Sequence, residues 1–215
     1  GLQGTINAQF EKIGGDKIFV QAKDVGFTGA NAPGKLTVRE LDLVGDVSGV
    51  VESAGYLVRG VSVRFIDVQR TLFGMSLPGS AREAELVRAV GLWVVESGRL
   101  LSYKDKGKVV VGYNLAHNSL FGRNVGVGDK FRVGDGVFEV VGVLEKTGDP
   151  GNDGGVIFVE EDLRVVVGDA VGFSFIVAQA GDAEVVAERI ERVLRRDRHL
   201  KVGKEDFTVQ TSTEL

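Results

Sequence analysis

The chain has 215 residues, 43% of them hydrophobic and 26% charged, enough apolar material to fill one large domain or two small ones sharing a core. Its net charge of −4, with no basic patch interleaved with aromatics, argues against a nucleic-acid binder that works by neutralising phosphates. Cysteine is absent, which excludes disulfides, thiolate metal sites and cysteine nucleophiles.

In chain order, INAQFEKIGG places Ile6, Phe10 and Ile13 at helical spacing and predicts a helix that stops at Gly14 and Gly15. KIFVQ reads as a strand, and 24–34, rich in Gly, Ala and Asn, reads as a mobile loop. Thr37 and Glu40 have capping-box spacing, so a short helix is expected from there to Gly45. Two strands are expected over 50–58 and 61–68, broken at Gly60. Ser80 and Glu83 repeat the capping spacing ahead of AELVRAV, a second helix. LWVV and KVVVG read as strands, and Asn114 as the cap of a short helix ending at Gly122. KFRV and VFEVVGVLE flank Asp135-Gly136, a hairpin signal because a type I′ turn needs positive φ at both central residues. After TGDPGNDGG, the most flexible-looking stretch, come the strand GVIFV, the strand FSFIVAQ, a helix capped by Asp182 and a closing strand DFTVQ. On that last helix Val186, Ile190, Val193 and Leu194 form one apolar stripe, and Glu188–Arg192 and Glu191–Arg195 stand in the favourable i,i+4 order. The two ends thus read as halves of one α/β layer, with a unit of short strands between them.

No apolar run reaches the roughly 18–20 residues of a membrane span. The chain opens on Gly1 rather than Met and reads as a piece cut from something longer.

FGRNVGVGDKFRVGDG, Phe121–Gly136, raises the question of phosphate binding. Gly126-Val127-Gly128 lacks a third glycine and leads into a strand, so no helix N-terminus follows to meet an anion; these glycines read as turns. His117 and His199 lack a nucleophile or carboxylate at suitable spacing and read as structural or solvated. Asp149, Asn152 and Asp153 do not follow the calcium-loop order, which leaves them as a candidate partner-contact loop. RRDRHLK reads first as a solvated helix end favoured by the helix dipole and second as a contact for anionic headgroups. No catalytic, cofactor-binding or metal residue is assigned.

Several stretches together resemble the extracytoplasmic domain of MacB/FtsX-like ABC transporter permeases. They are INAQFEKIGGDKIFVQ, TVRELDLV with GVVESAGY, VVESGRLLS, the run from Lys108 to Glu145, and the closing FSFIVAQAGDAEVVAERIERVLRR with DFTVQTSTEL. Their order and spacing across nearly the whole chain carry the resemblance; TGDPGNDGG and 77–90 depart from it. The resemblance implies an α+β fold of two subdomains. A discontinuous β-α-β, membrane-proximal Porter-like layer would take 1–72 and 171–215, and an inserted mixed α/β Sabre-like subdomain would take 73–170. It further implies a non-catalytic, dimeric permease part at the cell membrane, moved by a cytoplasmic ATPase that is fused or separate and holds ATP and Mg. Such a part passes motion to an exported substrate, a partner or an extracytoplasmic adaptor. The competing readings are a free-standing binding ectodomain without a transport role and a hydrolase with an unrecognised site.

Overall fold

The computed structural model describes residues 13–23 and 36–214. The expected first helix lies outside these residues except for Ile13, and so does the loop expected over 24–34. Gly14 takes a φ of +92°, open to glycine without a Cβ clash.

A four-stranded sheet gathers both ends of the chain in the order β11-β1-β10-β2. Its strands are β1 (Lys17–Ala22), β2 (Val50–Tyr56), β10 (Phe175–Ala180) and β11 (Phe207–Thr211). β1 lies antiparallel to both β10 and β11, with Phe19 opposite Val177 on one side and Gln210 on the other. KIFVQA shows almost no inside–outside alternation, because both faces of this sheet are covered. Ile18, Val20, Ile176 and Ala178 pack under α1 (Val38–Gly45) and α6 (Ala183–Asp197), while Phe19, Ala54 and Val177 face the rest of the molecule. The predicted stripe of α6 supplies Val186, Ile190 and Leu194 to the first of these cores. Burying each such side chain contributes about 1.5–3 kcal/mol. Thr37 N–H donates to Glu40 Oε2 at 2.7 Å at the start of α1, and Asp182 Oδ1 accepts from Val185 N–H at the start of α6.

The second sheet runs β5-β8-β6-β9-β4-β3-β7. Its members are β3 (Val58–Phe65), β4 (Val68–Leu77), β5 (Val95–Gly98), β6 (Lys108–Val111), β7 (Lys130–Val133), β8 (Gly136–Leu144) and β9 (Gly155–Val159). Because β7 pairs with β8 as well as with β3, six of these strands close into a barrel, and β5 is appended to β8. Closure removes sheet edges and puts Val63, Val111, Phe131, Val133, Phe138, Val140 and Phe158 in one interior. Alternate residues of the same strands, Val110, Val141, Ile157 and Val159, point outward into a second core. That core is shared with α2 (Ala81–Gly91) and with Phe19, Ala54 and Val177 of the first sheet.

Several local expectations shift. Gly60 does not break a strand: it lies inside β3 opposite Phe73, and the chain leaves the first sheet at Leu57. The β3–β4 turn falls instead at Ile66-Asp67, where Ile66 holds a φ of +56° that a β-branched residue rarely adopts. The β7–β8 turn is Gly134-Asp135, one residue earlier than read, since Val133 pairs with Gly136 and Gly134 carries the positive φ. Asn114 is not a cap: α3 (Tyr113–His117) starts after Gly112. Of LWVV only Val95 is strand, because Leu92 closes α2 in the left-handed region and Trp93 turns inward. TGDPGNDGG contains α4 (Pro150–Asp153), and α5 (Glu160–Val167) follows β9 directly.

Candidate functional site

The feature the fold builds from the most distant parts of the sequence is the joint between the sheet and the barrel. The chain crosses it at Leu57-Val58, and two serines fasten the crossing. Buried Ser76 accepts from Leu57 N–H at 2.9 Å, and Ser76 N–H donates to Leu57 O at 3.0 Å. Ser174 Oγ accepts from Val58 N–H at 2.9 Å and donates to Val58 O at 3.1 Å. The returning strand is thereby tied to the departing one. Gly55 completes the fit: a Cβ there would stand 2.3 Å from the Phe173 ring.

Aromatic rings fill the joint. Tyr56 and Phe175 lie 4.6 Å apart between centroids, Phe19 meets Phe175 edge-on at 6.0 Å, and Tyr56 meets Trp93 at 6.1 Å. Tilted and edge-on contacts of this kind align ring quadrupoles favourably and fix the relative orientation of what they join. Burial, reinforced by the Asp149 carboxylate, raises the Tyr56 phenol far above its ordinary range, so Tyr56 stays neutral and serves as a packing group.

The sequence-selected loop docks onto this cluster. Asp149 caps α4 by accepting from Gly151 and Asn152 N–H. Asn152 Oδ1 accepts from Trp93 Nε1–H at 3.5 Å, and its Nδ2 donates to Gly91 O at 3.4 Å. Asp153 is 4% exposed, and its carboxylate accepts from Thr147 N–H, Thr147 Oγ1–H and Gly148 N–H at 2.8–2.9 Å. Behind it Gly112 lets two backbones touch, since a Cβ there would lie 2.2 Å from Asn152 O. The three residues are therefore brought together, with Asp153 turned inward and Asn152 bonded to the joint. Tyr56, Trp93 and Phe175 carried no signal in the sequence: they come from three separate segments, and periodicity within a segment cannot report a meeting across 119 residues.

The other candidates are placed as follows. His117 Nε2 meets Glu96 Oε2 at 2.7 Å, and its ring stacks on Tyr113. The basic run at the end of α6 is engaged in ion pairs: Arg195 with Glu191 and Glu205, Arg198 with Glu40 and Asp206, and Asp197 with Arg39. Glu191–Arg195 closes at 3.2 Å, whereas Glu188–Arg192 makes no ion pair among the described residues. Gly128, in the glycine-rich stretch, turns with a φ of +92°. Among the described residues no group of three His, Cys, Asp or Glu side chains could hold a metal, and no helix is long and apolar enough to cross a membrane.

The model of the MacB-like periplasmic core domain matches residues 1–193. The chain belongs to this family. An uncharacterised ABC transporter permease of Methanocaldococcus jannaschii is 29% identical over the whole chain, which spans about half (52%) of that relative's length. Two solved structures share the fold. The periplasmic region of MacB from Actinobacillus actinomycetemcomitans superposes with a TM-score of 0.69 at 15% identity, over 97% of this chain and 94% of that one. The extracellular domain of the noncanonic ABC-type transporter YknZ from Gram-positive bacteria superposes with a TM-score of 0.67 at 17% identity, over 91% and 100%. This MacB-like core domain is α+β, with the joint at Leu57 and Phe173 linking its two sheets.

Proposed function

We propose that this MacB-like core domain is the extracytoplasmic part of an ABC transporter permease subunit. It is non-catalytic and passes ATP-driven motion of membrane helices to an exported substrate or partner outside the membrane. The observation that carries the reading is the pairing of β1 with β11. They are neighbouring antiparallel strands, with Ile18 opposite Thr211, so the chain enters and leaves the domain at the same end of one sheet. Ser212 N–H donates to Lys17 O and Ser212 Oγ to Gly14 O, which holds the two ends together. A domain attached at both ends to membrane helices needs this geometry, and a rigid sheet then moves with them as one piece.

In this reading the four-stranded sheet with α1 and α6 is the membrane-proximal, Porter-like subdomain, and the barrel is the inserted, Sabre-like one. The chain passes between the two sheets near Leu57 and Phe173, and the proposed division between the subdomains is drawn at these crossings. The fastened crossing and its aromatic filling stiffen the connection, so that displacement of the sheet carries the barrel with it. ATP and Mg sit at a nucleotide-binding domain or subunit, a second permease copy completes the transporter at the cell membrane, and an extracytoplasmic adaptor is a further partner.

The reading frame around this segment tests the proposal against a free-standing binding ectodomain. Apolar spans of about 20 residues are expected on both sides; a single span, or none, contradicts it.

A further inference from the structure

The outer face of the barrel carries an arrangement that the fold does not need. One rung of the ladder runs Gln69–Arg64–Arg132–Val137 across β4, β3, β7 and β8. Arg64 and Arg132 are thus directly opposed, on the same exposed face. Like charges in this position repel and weaken a strand pair. The neighbouring rung is Lys130–Glu139–Lys108, where Lys108 and Glu139 approach to 4.0 Å. On these two rungs four cations stand against one carboxylate, in a chain whose net charge is −4. Among the described residues Arg64 and Arg132 form no ion pair, and Lys130 shares the facing Glu139 with Lys108, while other arginines are paired, as in Arg39–Asp197, Arg99–Asp105 and Arg198–Asp206.

Register is not free to relieve the repulsion. Val63, Phe65, Phe131 and Val133 alternate with the cations and fill the barrel, so a one-residue slip would turn guanidinium groups into an apolar core. The fold fixes where the side chains point; it does not require that two facing positions both be arginine. Exposed Val137, at 48%, extends the rung with an apolar contact.

We propose that this face binds an acidic, extended polypeptide segment of another protein, whose carboxylates bridge Arg64 and Arg132 and reach Lys130. The spacing carries the choice of ligand. Arg132 and Lys130 are two residues apart on one strand face, roughly 6.6 Å, the distance between carboxylates at i and i+2 of an extended chain. Arg64 stands about 4.5–5.5 Å across from Arg132, within reach of the same carboxylate. Guanidinium forks take carboxylates in pairs of parallel hydrogen bonds, and charge complementarity supplies rate and register. The site stands whether or not the domain transmits motion.

The test is an anisotropy titration of the 215-residue chain with a fluorescein-labelled Glu-Thr repeat peptide at about 20 and about 200 mM salt. Saturable binding is expected, weakening at least tenfold at the higher salt. Arg64→Gln and Arg132→Gln should each lower affinity roughly tenfold, whereas Arg192→Gln, an exposed cation on α6, should leave it unchanged. Arg132→Glu should abolish binding and raise the melting temperature, because it turns the repulsive pair into an attractive one. Binding that survives the Arg64→Gln/Arg132→Gln double variant, or that falls equally with Arg192→Gln, overturns the proposal. So does a lower melting temperature for Arg132→Glu, or displacement of the peptide, at constant ionic strength, by phosphatidylglycerol vesicles or by inorganic phosphate.

Discussion

At the residue scale, Asp153 shows how a polar side chain holds the loop against the joint. Its carboxylate is the acceptor for three donors from Thr147 and Gly148, in a place with little access to water. Asp153→Ala leaves those donors unpaired and should cost about 2–4 kcal/mol of unfolding free energy. Chemical denaturation measures this, and a loss below about 1 kcal/mol would show that water replaces the carboxylate. Acid sensitivity follows from other carboxylates. The Arg99 guanidinium, hydrogen-bonded at 2.7 Å, holds Asp105 below its ordinary value of 3.8, and Lys17 does the same for Asp16. Both groups bind a proton less readily folded than unfolded. Their contribution is complete above the ordinary carboxylate value and is lost as pH falls through it towards the lower folded value. The melting temperature should therefore be flat with respect to these groups from pH 7 to about 5 and fall below about 4, and Asp105→Asn should flatten part of that fall. An unchanged acid slope in Asp105→Asn would remove Asp105 from the explanation.

At the element scale, α6 and the β1–β11 pair carry the four-stranded layer. Ile190 is fully buried in the core between α6 and the sheet. Ile190→Asp should destabilise by about 4 kcal/mol or more, by placing an unpaired carboxylate there; a near-neutral melting shift would contradict that core. Cysteines at Gln21 and Thr208, which face one another across the pair, should oxidise readily to a disulfide, because opposed strand residues lie within the roughly 4.4–6.8 Å that the bond requires. Failure to crosslink in the folded chain would contradict the register. Elements of this layer were legible in the sequence because their signals are local: the Thr37–Glu40 cap, the stripe on α6, the Asp182 cap. In the barrel KVVVG, KFRV, VFEVVGVLE and GVIFV also read as strands, but β4 did not, because the Ile66-Asp67 turn carries no glycine to announce it. α5 was not predicted, although Glu160, Glu161 and Asp162 in its first turn and an Arg164–Glu160 pair favour a helix. The joint was illegible altogether, since its rings come from segments far apart in the chain.

At the scale of the whole molecule, two sheets share one core and one fastened crossing. Phe19, Ala54 and Val177 of the first sheet pack with Ile157, Val159 and Leu144 of the second, so neither can shift far without opening apolar surface to water. Rigid-body motion of the pair is therefore cheaper than motion between them, which is what a relay requires and a hinged binding module does not. For the proposed function the direct measurement is the distance between spin labels at exposed Thr71 on the barrels of two copies of the full-length protein, reconstituted with the proposed ATPase. A second distance population that appears with ATP and disappears after hydrolysis is the predicted result; one distribution, identical with and without ATP, would contradict the account.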